Sequence, residues 1–160
     1  MADRSRNSAP PDGEDTELSM EIRRVADSIW CSRRCARFAE ERGFRDVALW
    51  EISIAVSELV TNVIKYAGEG VLRISAVENP TVGIEIAVED EGPGIEDIEQ
   101  VVVDGFSEGR MLGPDTHPEE RRGLGSGLGA VHRLMDQVEI ANKLDRGARV
   151  VARKWLPEKD

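Results

Sequence analysis

Four glycines at alternate positions constrain the fold of this chain more than any other feature of its sequence. They are Gly123, Gly125, Gly127 and Gly129. Glycines spaced so closely disfavour a continuous helix or strand, because each adds conformational freedom that folding must remove. The stretch RRGLGSGLGAVHRLMD therefore predicts a loop that leads into a helix. Such a loop lets the backbone approach an anion, and the helix start adds unpaired N–H groups. A flexible linker is the alternative, although the interleaved Leu124 and Leu128 disfavour it.

Three familiar phosphate-binding motifs can be tested against this glycine run. The P-loop requires a lysine directly after its last glycine, and none follows here. The segment GSGLGA matches the dinucleotide fingerprint, but that fingerprint must follow a strand directly, whereas this one follows THPEERR. A protein-kinase glycine loop lacks its partner motifs, because neither HRD nor DFG occurs in the sequence. Binding of a triphosphate remains possible, because it requires only what such loops share: a backbone that an anion can approach and free N–H groups at the helix start.

The most regular stretch of the chain predicts a long helix over residues 46–68. Glu58 and Asn62 lie four residues apart in it and therefore share one face. An apolar stripe adjoins them and places both at the margin of the core. Its members are Ile52, Val56, Leu59 and Val63. A carboxylate and an amide oxygen so placed can hold Mg²⁺ and a water or hydroxyl, or they can belong to a solvated helix face.

In the segment EDEGPG, Asp90 lies at the end of a predicted strand, where a turn begins. Glycine and proline, at Gly92, Pro93 and Gly94, are the residues that such a turn requires. The Asp90 carboxylate can accept a hydrogen bond from the amino group of a base, or it can simply cap the turn.

The remaining signals predict an α+β domain. A strand over residues 18–26, or alternatively a helical start there, and a helix capped by Asp27 and ended by Gly43 precede the long helix. A hairpin, a short helix and a long irregular loop follow, and then come the helix after the glycine run and a second hairpin. Strands joined mainly as hairpins favour a mixed, mostly antiparallel sheet with helices on one face. Trp50, Val60 and Val63 are predicted core residues.

Length, charge and cysteine content limit the class of protein. The 160 residues suit one domain, expected at residues 17–157 after a disordered tail over residues 1–16. A net charge of −10 argues against nucleic-acid binding, which needs clustered Lys and Arg. Cys31 and Cys35 lie four apart on a predicted helix, so both are expected to be reduced thiols in a cytoplasmic protein. No apolar run near the length of a membrane span is expected.

Taken in order, three motifs resemble the N, G1 and G2 boxes of the Bergerat-fold (GHKL) ATPases. They are E-x-x-x-N on a helix, D-x-G-x-G after a strand and G-x-G-x-G-x-G before a helix. That superfamily includes gyrase B, Hsp90, sensor histidine kinases and MutL. Each motif is weak alone, but the three together are specific in order and placement. The resemblance implies a two-layer sandwich, binding of ATP with Mg²⁺, and an ATP lid at about residues 104–125.

The roles of the N and G1 boxes are carried over from this resemblance onto the matching positions. Glu58 resembles the general base that activates the attacking hydroxyl or water, and Asn62 resembles the Mg²⁺ ligand. Asp90 resembles the acceptor for the N6 amino group of adenine, with Gly92 and Gly94 giving the base room.

The resemblance also assigns the phosphate contacts to the G2 box and its neighbours. Expected contact residues are Gly123, Leu124, Gly125, Ser126, Gly127, Leu128 and Gly129. Arg121 or Arg122 would neutralise charge that develops on the γ-phosphate.

Within the superfamily, the chain is similar to the small serine kinases that regulate bacterial sigma factors by partner switching, the group of SpoIIAB, RsbW and RsbT. A sensor histidine kinase needs an upstream phosphoacceptor histidine, but His117 and His132 lie in or after the lid. The transducer domain that follows in gyrase B, Hsp90 and MutL is not expected within 160 residues. The resemblance is greatest to RsbT-like switch kinases of the bacterial stressosome, over about residues 20–156.

This resemblance implies an ATP-dependent serine/threonine kinase that phosphorylates a STAS-domain scaffold or antagonist protein and then acts on a PP2C-type phosphatase or another effector. The alternative is an anti-sigma factor that binds a sigma factor and phosphorylates a STAS-domain anti-anti-sigma factor. A catalytically idle adaptor is disfavoured by the presence of both Glu58 and Asn62. No nucleic-acid or membrane partner is expected, and a dimer is compatible with the group.

Overall fold

A computed structural model describes residues 15–101, 106–107, 110–111 and 127–158 of the chain. Its strands are β1 (Glu17–Ile22), β2 (Gly70–Val77), β3 (Gly83–Asp90), β4 (Phe106–Ser107), β5 (Arg110–Met111), β6 (Gln137–Asn142) and β7 (Ala148–Trp155). Its helices are α1 (Asp27–Glu41), α2 (Asp46–Tyr66), α3 (Ile98–Val101) and α4 (Gly127–Leu134). Most of the expected tail and of the expected lid lies outside the described residues.

The main sheet has five strands in the order β1-β2-β3-β7-β6. Each pair in it is antiparallel, and the two predicted hairpins, β2–β3 and β6–β7, are confirmed. The chain therefore has the expected α+β architecture. The short strands β4 and β5 pair separately within the region predicted to be a loop.

The core lies between one face of this sheet and the helices. Because side chains alternate along a strand, residues two apart on β1, β2, β3 and β7 point towards the helices. The buried strand residues of this layer are Met20, Ile22, Leu72, Ile74, Ile84, Ile86, Val88, Val150 and Ala152. Helix α2 packs six residues against them, and they are Ile52, Ala55, Val56, Leu59, Val60 and Val63.

The opposite face of the sheet carries ion pairs between neighbouring strands. Arg153 pairs with Glu85 across β7 and β3 at 2.7 Å, and Arg149 pairs with Glu89 at 2.9 Å. A polar outer face is the usual state of an antiparallel sheet that is packed on one side. Among the described residues, the helices therefore cover one face of the sheet, as predicted.

Helices α1 and α2 form an antiparallel pair joined by a short turn that contains Gly43 with φ +100°. Cys31 and Cys35 on α1 are buried and free, which agrees with the expected thiols. The prediction that Trp50 is a core residue is wrong, because its side chain is 63% exposed. The buried face of α2 begins at Ile52. Trp50 precedes Ile52 by two residues, which is about 200° around the helix, so it lies on the opposite side.

Helix α2 also meets the length and composition of a membrane span, with a mean hydropathy of 1.5 over an 18-residue window. The expectation that no such run exists is therefore wrong by these two criteria. Six apolar residues of α2 are buried in the core, and a core helix of a globular domain meets the same two criteria.

Candidate functional site

Helix α2 places Glu58 and Asn62 one turn apart, and both side chains are half-buried. Their neighbours Leu59 and Val63 are buried in the core. Burial raises the pKa of the Glu58 carboxyl above its usual value, because desolvation disfavours the charged form. The predicted margin position is thus confirmed, and the carboxylate at it holds a proton more tightly than an exposed glutamate does.

The start of α4 packs directly against Asn62. A Cβ built on Gly127 would lie 2.9 Å from Nδ2 and 3.0 Å from Oδ1 of Asn62, which is closer than a side chain tolerates. Gly127, Leu128 and Gly129 form the first turn of α4, whose backbone N–H groups have no acceptor within the helix. The structure therefore brings the N box and the end of the glycine run together. Free amides and the positive end of the helix dipole favour an anion beside Asn62.

The far end of α4 is held by a partly buried lysine that the sequence did not single out. Lys154 Nζ donates to the Leu134 carbonyl at 2.7 Å and pairs with Glu51 on α2 at 2.8 Å. Its side chain is only 12% exposed. A cation at the last turn satisfies a free carbonyl and complements the dipole, and here it also ties α4 to α2.

Asp90 stands at the end of β3, where its carboxylate caps the following turn. Its Oδ1 accepts hydrogen bonds from the Gly92 N–H at 2.9 Å and from the Ala148 N–H at 3.2 Å. The turn-capping role is therefore observed directly. Both bonds use one oxygen, so Oδ2 is the atom with which Asp90 can accept a hydrogen bond from an adenine amino group. That second role stays a prediction.

The loop after Asp90 is held close to α2 and to the β6–β7 hairpin. A Cβ on Gly92 would lie 2.6 Å from the Cβ of Ala67, just beyond the end of α2. Gly94 has φ +82°, and a Cβ there would approach Asn142 Oδ1 to 2.8 Å. These glycines make room for protein atoms in the structure, and their expected contact with a base stays a prediction.

Two further residues at the tip of the β6–β7 hairpin shape this end of the site, and sequence reasoning missed both. Asn142 accepts the Ile95 N–H with Oδ1 and donates from Nδ2 to the Ile95 carbonyl, each at 2.7 Å. Gly147, with φ +92°, lies against the backbone carbonyl of Asp90. The turn sequence LDRG was the only signal at Gly147, and nothing local links Asn142 to Ile95.

The other predicted phosphate contacts lie outside the described residues. They are Arg121, Arg122, Gly123, Leu124, Gly125 and Ser126. Of the described contacts, Gly127 and Gly129 are buried in α4, and the Leu128 side chain packs against the core. Leu128 can therefore offer only its backbone amide to a phosphate.

The residues near Asn62 suit Mg²⁺ bound together with phosphates. Within the described ranges, no group of three or more His, Cys, Asp or Glu side chains could hold a metal by itself. Mg²⁺ keeps several waters and is commonly held by one or two protein oxygens plus substrate phosphates. The Asn62 amide oxygen, the Glu58 carboxylate and the free amides of α4 fit that requirement.

Comparisons with known proteins agree with this geometry. Residues 24–154 match the model of the histidine kinase-like ATPase domain. The chain is 40% identical over 119 residues to the serine/threonine-protein kinase RsbT of Bacillus subtilis (strain 168), covering 74% of this chain and 80% of that protein. It is 35% identical over 109 residues to the anti-sigma F factor of Heyndrickxia coagulans, covering 66% and 68%. The anti-sigma F factor of Thermoanaerobacter sp. (strain X514) is 33% identical over 108 residues, covering 66% and 69%.

Proposed function

The chain belongs to the histidine kinase-like ATPase family, and we propose that it is an ATP-dependent serine/threonine kinase of a bacterial partner-switching pathway that phosphorylates a STAS-domain protein. One observation above all supports phosphoryl transfer rather than nucleotide binding alone. Glu58 and Asn62 are half-buried one turn apart on α2, and the first residue of α4 packs against Asn62. In this proposal Glu58 is the proton acceptor, Asn62 the metal ligand and the start of α4 the anion site, and their proximity supports it.

Glu58 takes the proton of the acceptor serine or threonine hydroxyl. As the hydroxyl oxygen bonds to the γ-phosphorus, the bond from that phosphorus to the bridging oxygen breaks and ADP leaves. The raised pKa of Glu58 suits this task, because a base with a higher proton affinity removes the proton more readily.

The other residues bind and orient the nucleotide. Asn62 would hold Mg²⁺ through Oδ1, and the first-turn amides of α4 would donate to phosphate oxygens. Bound Mg²⁺ supplies neutralisation of charge on the phosphates. Asp90 accepts the adenine amino group with Oδ2 while Oδ1 holds the turn. Arg121 or Arg122 faces the γ-phosphate in this proposal.

The proposal includes the partners and the compartment. The substrate is a STAS-domain scaffold or antagonist in a stressosome-type pathway, and after phosphorylating it the kinase leaves to activate a PP2C-type phosphatase or another effector. The kinase acts in the cytoplasm, without a nucleic-acid or membrane partner. The identity of 40% to a protein named as a serine/threonine kinase supports this assignment.

A second candidate function is that of an anti-sigma factor, which binds a sigma factor and phosphorylates a STAS-domain anti-anti-sigma factor. The identities of 33% and 35% to proteins named as anti-sigma F factors support this second candidate. Both candidates use the same site and differ only in whether a sigma factor binds.

The test is transfer of label from γ-labelled ATP to purified STAS-domain proteins, with a parallel binding assay against sigma factors. The proposal expects a labelled STAS-domain protein without sigma binding, and sigma binding would favour the second candidate. Glu58→Gln is the matched control, since it keeps the side-chain shape but cannot accept the proton. Failure of the unchanged protein to label any STAS-domain protein while it binds Mg·ATP would overturn the kinase assignment.

A further inference from the structure

Helices α1 and α2 leave a groove of about 600 Å³ between the faces that they turn away from the core. The floor of the groove consists of small residues from both helices. They are Ser32, Ala36, Ser53 and Ser57. Because the two helices are antiparallel, the groove extends from the α1–α2 turn towards the start of α1 and the middle of α2. We call it the α1–α2 groove.

Two of the three serine hydroxyls on the floor already donate hydrogen bonds to helix carbonyls. Ser32 Oγ donates to the Ser53 carbonyl at 3.0 Å, and Ser53 Oγ donates to the Leu49 carbonyl at 2.8 Å. A partner that enters the groove therefore does not have to satisfy these hydroxyls, and apolar groups can lie on them at low cost.

Large apolar side chains wall the groove yet stay open to solvent. Ile29 on α1 is 60% exposed and Trp50 on α2 is 63% exposed. Exposed large apolar groups beside polar residues mark interaction sites, and Trp and Arg are enriched among the residues that dominate binding energy.

The rim of the groove is basic although the chain has a net charge of −10. Arg33 and Arg37 line it along α1, and both are exposed. Within the described part of the chain, Arg33 makes no ion pair, and Arg37 pairs with Glu41 of its own helix at 3.1 Å. The lining carboxylate, Glu40, lies at the end near the α1–α2 turn. An occupant of complementary charge therefore carries carboxylates opposite Arg33.

The groove is continuous with the catalytic end of α2. Ser57 lines it and directly precedes Glu58, and Ile54 lines it one turn before Glu58 on the same side of the helix. A segment that lies in the groove therefore extends towards the base that accepts the hydroxyl proton.

On these grounds, and resting on the kinase function proposed above, we propose that the α1–α2 groove docks the protein substrate. The bound segment has apolar side chains that cover Ile29 and Trp50 and carboxylates that pair with Arg33 and Arg37. A membrane surface fits less well, because the chain as a whole is acidic, with a net charge of −10.

The test uses the STAS-domain protein that the unchanged chain labels. Trp50→Ala and Arg33→Glu are expected to raise the KM for that protein by roughly tenfold or more, with the KM for ATP unchanged. Arg33→Glu also weakens the dependence of KM on salt, because it removes an attractive charge. Val82→Ala and Arg73→Glu, which change exposed residues away from the groove, are the matched controls and leave both KM values unchanged.

The outcomes separate the two proposals. If the unchanged chain labels no STAS-domain protein, the proposed kinase function is overturned, and so is the proposed occupant of the groove. If labelling occurs but the groove variants keep the KM of the unchanged protein, only the docking proposal is overturned. Sedimentation and binding to vesicles of anionic phospholipid complete the design. A variant that loses self-association or vesicle binding with an unchanged KM would assign the groove to a second copy or to a membrane, against the proposal.

Discussion

Gly127 packs against the carboxamide of Asn62 so closely that a Cβ at Gly127 would lie 2.9 Å from Nδ2. This contact joins the helix that carries the proposed base to the helix that offers free amides. It also explains why a glycine occupies the first position of α4, although glycine is a poor helix former.

Gly127→Ala is expected to displace the Asn62 side chain and to lower the rate of phosphoryl transfer by roughly ten- to a hundredfold, because small misplacements of a catalytic group are costly. The melting temperature should change little, since the clash is with the end of a side chain that can rotate, and alanine favours the helix. Transfer kinetics and thermal unfolding check this. A large loss of stability with normal transfer in the folded fraction would contradict it.

The rate of transfer should depend on the protonation of Glu58. Since burial raises its pKa, the acid limb of the pH profile of kcat should lie above the value of about 4.3 typical of an exposed glutamate. Glu58→Gln should lose this limb along with nearly all of the activity and still bind Mg·ATP. The measurement is kcat against pH at saturating substrates. An acid limb that stays with Glu58→Gln would assign it to another group.

Glu58 should also cost stability near neutral pH. The folded protein binds its proton more tightly than the unfolded chain does, so the stabilising contribution is present below the unfolded pKa and is lost as pH rises through the folded pKa. Glu58→Gln is uncharged at every pH and should therefore be the more stable protein at pH 7, with the difference shrinking towards pH 4. Urea unfolding at both pH values tests the sign. Equal midpoints at pH 7 would show that desolvation of this carboxylate is negligible.

Much of this architecture could be predicted because its signals are local. The 3.6-residue period of α2 fixed the shared face of Glu58 and Asn62, and the alternating patterns of β2–β3 and β6–β7 identified both hairpins. Trp50 was misplaced because apolar character alone does not say which side of a helix is buried. Asp27 was expected to cap α1 but lies in its first turn, where its Oδ2 accepts the N–H groups of Arg23 and Arg24 at 2.8 Å.

The parts that could not be predicted depend on contacts between distant segments. Asn142 and Ile95 are 47 residues apart, and their paired hydrogen bonds form only once the β6–β7 hairpin reaches the loop after Asp90. In the sequence, Lys154 is one more charged residue near the end of a strand. Its hydrogen bond to Leu134 and its ion pair with Glu51 form only in the folded protein. Such residues carry no local pattern, because their role is set by tertiary structure.

Gly147 and Gly68 form a matched pair for testing the contact with Asp90. Both have positive φ, +92° and +86°, but a Cβ on Gly147 would collide with the Asp90 carbonyl, whereas nothing lies within 4 Å of one on Gly68. Gly68→Ala should therefore lose only the backbone term of about 1–3 kcal/mol. Gly147→Ala should lose more and should also weaken ATP binding. Urea unfolding and calorimetry compare the two, and equal effects would show that the hairpin tip yields without disturbing Asp90.

Asp90→Asn separates the two roles of this side chain. The amide oxygen can keep the bonds from Gly92 and Ala148, so the free energy of unfolding should change little. The other atom changes from an acceptor to a donor and faces the adenine amino group with a donor of its own, so ATP affinity should fall by roughly tenfold or more. Asp90→Ala is the control, because it removes the turn cap as well and should lower both affinity and stability. Calorimetry with Mg·ATP, alongside urea unfolding, measures the two quantities separately. Unchanged affinity in Asp90→Asn would mean that this carboxylate serves the turn alone and that adenine is recognised by other groups.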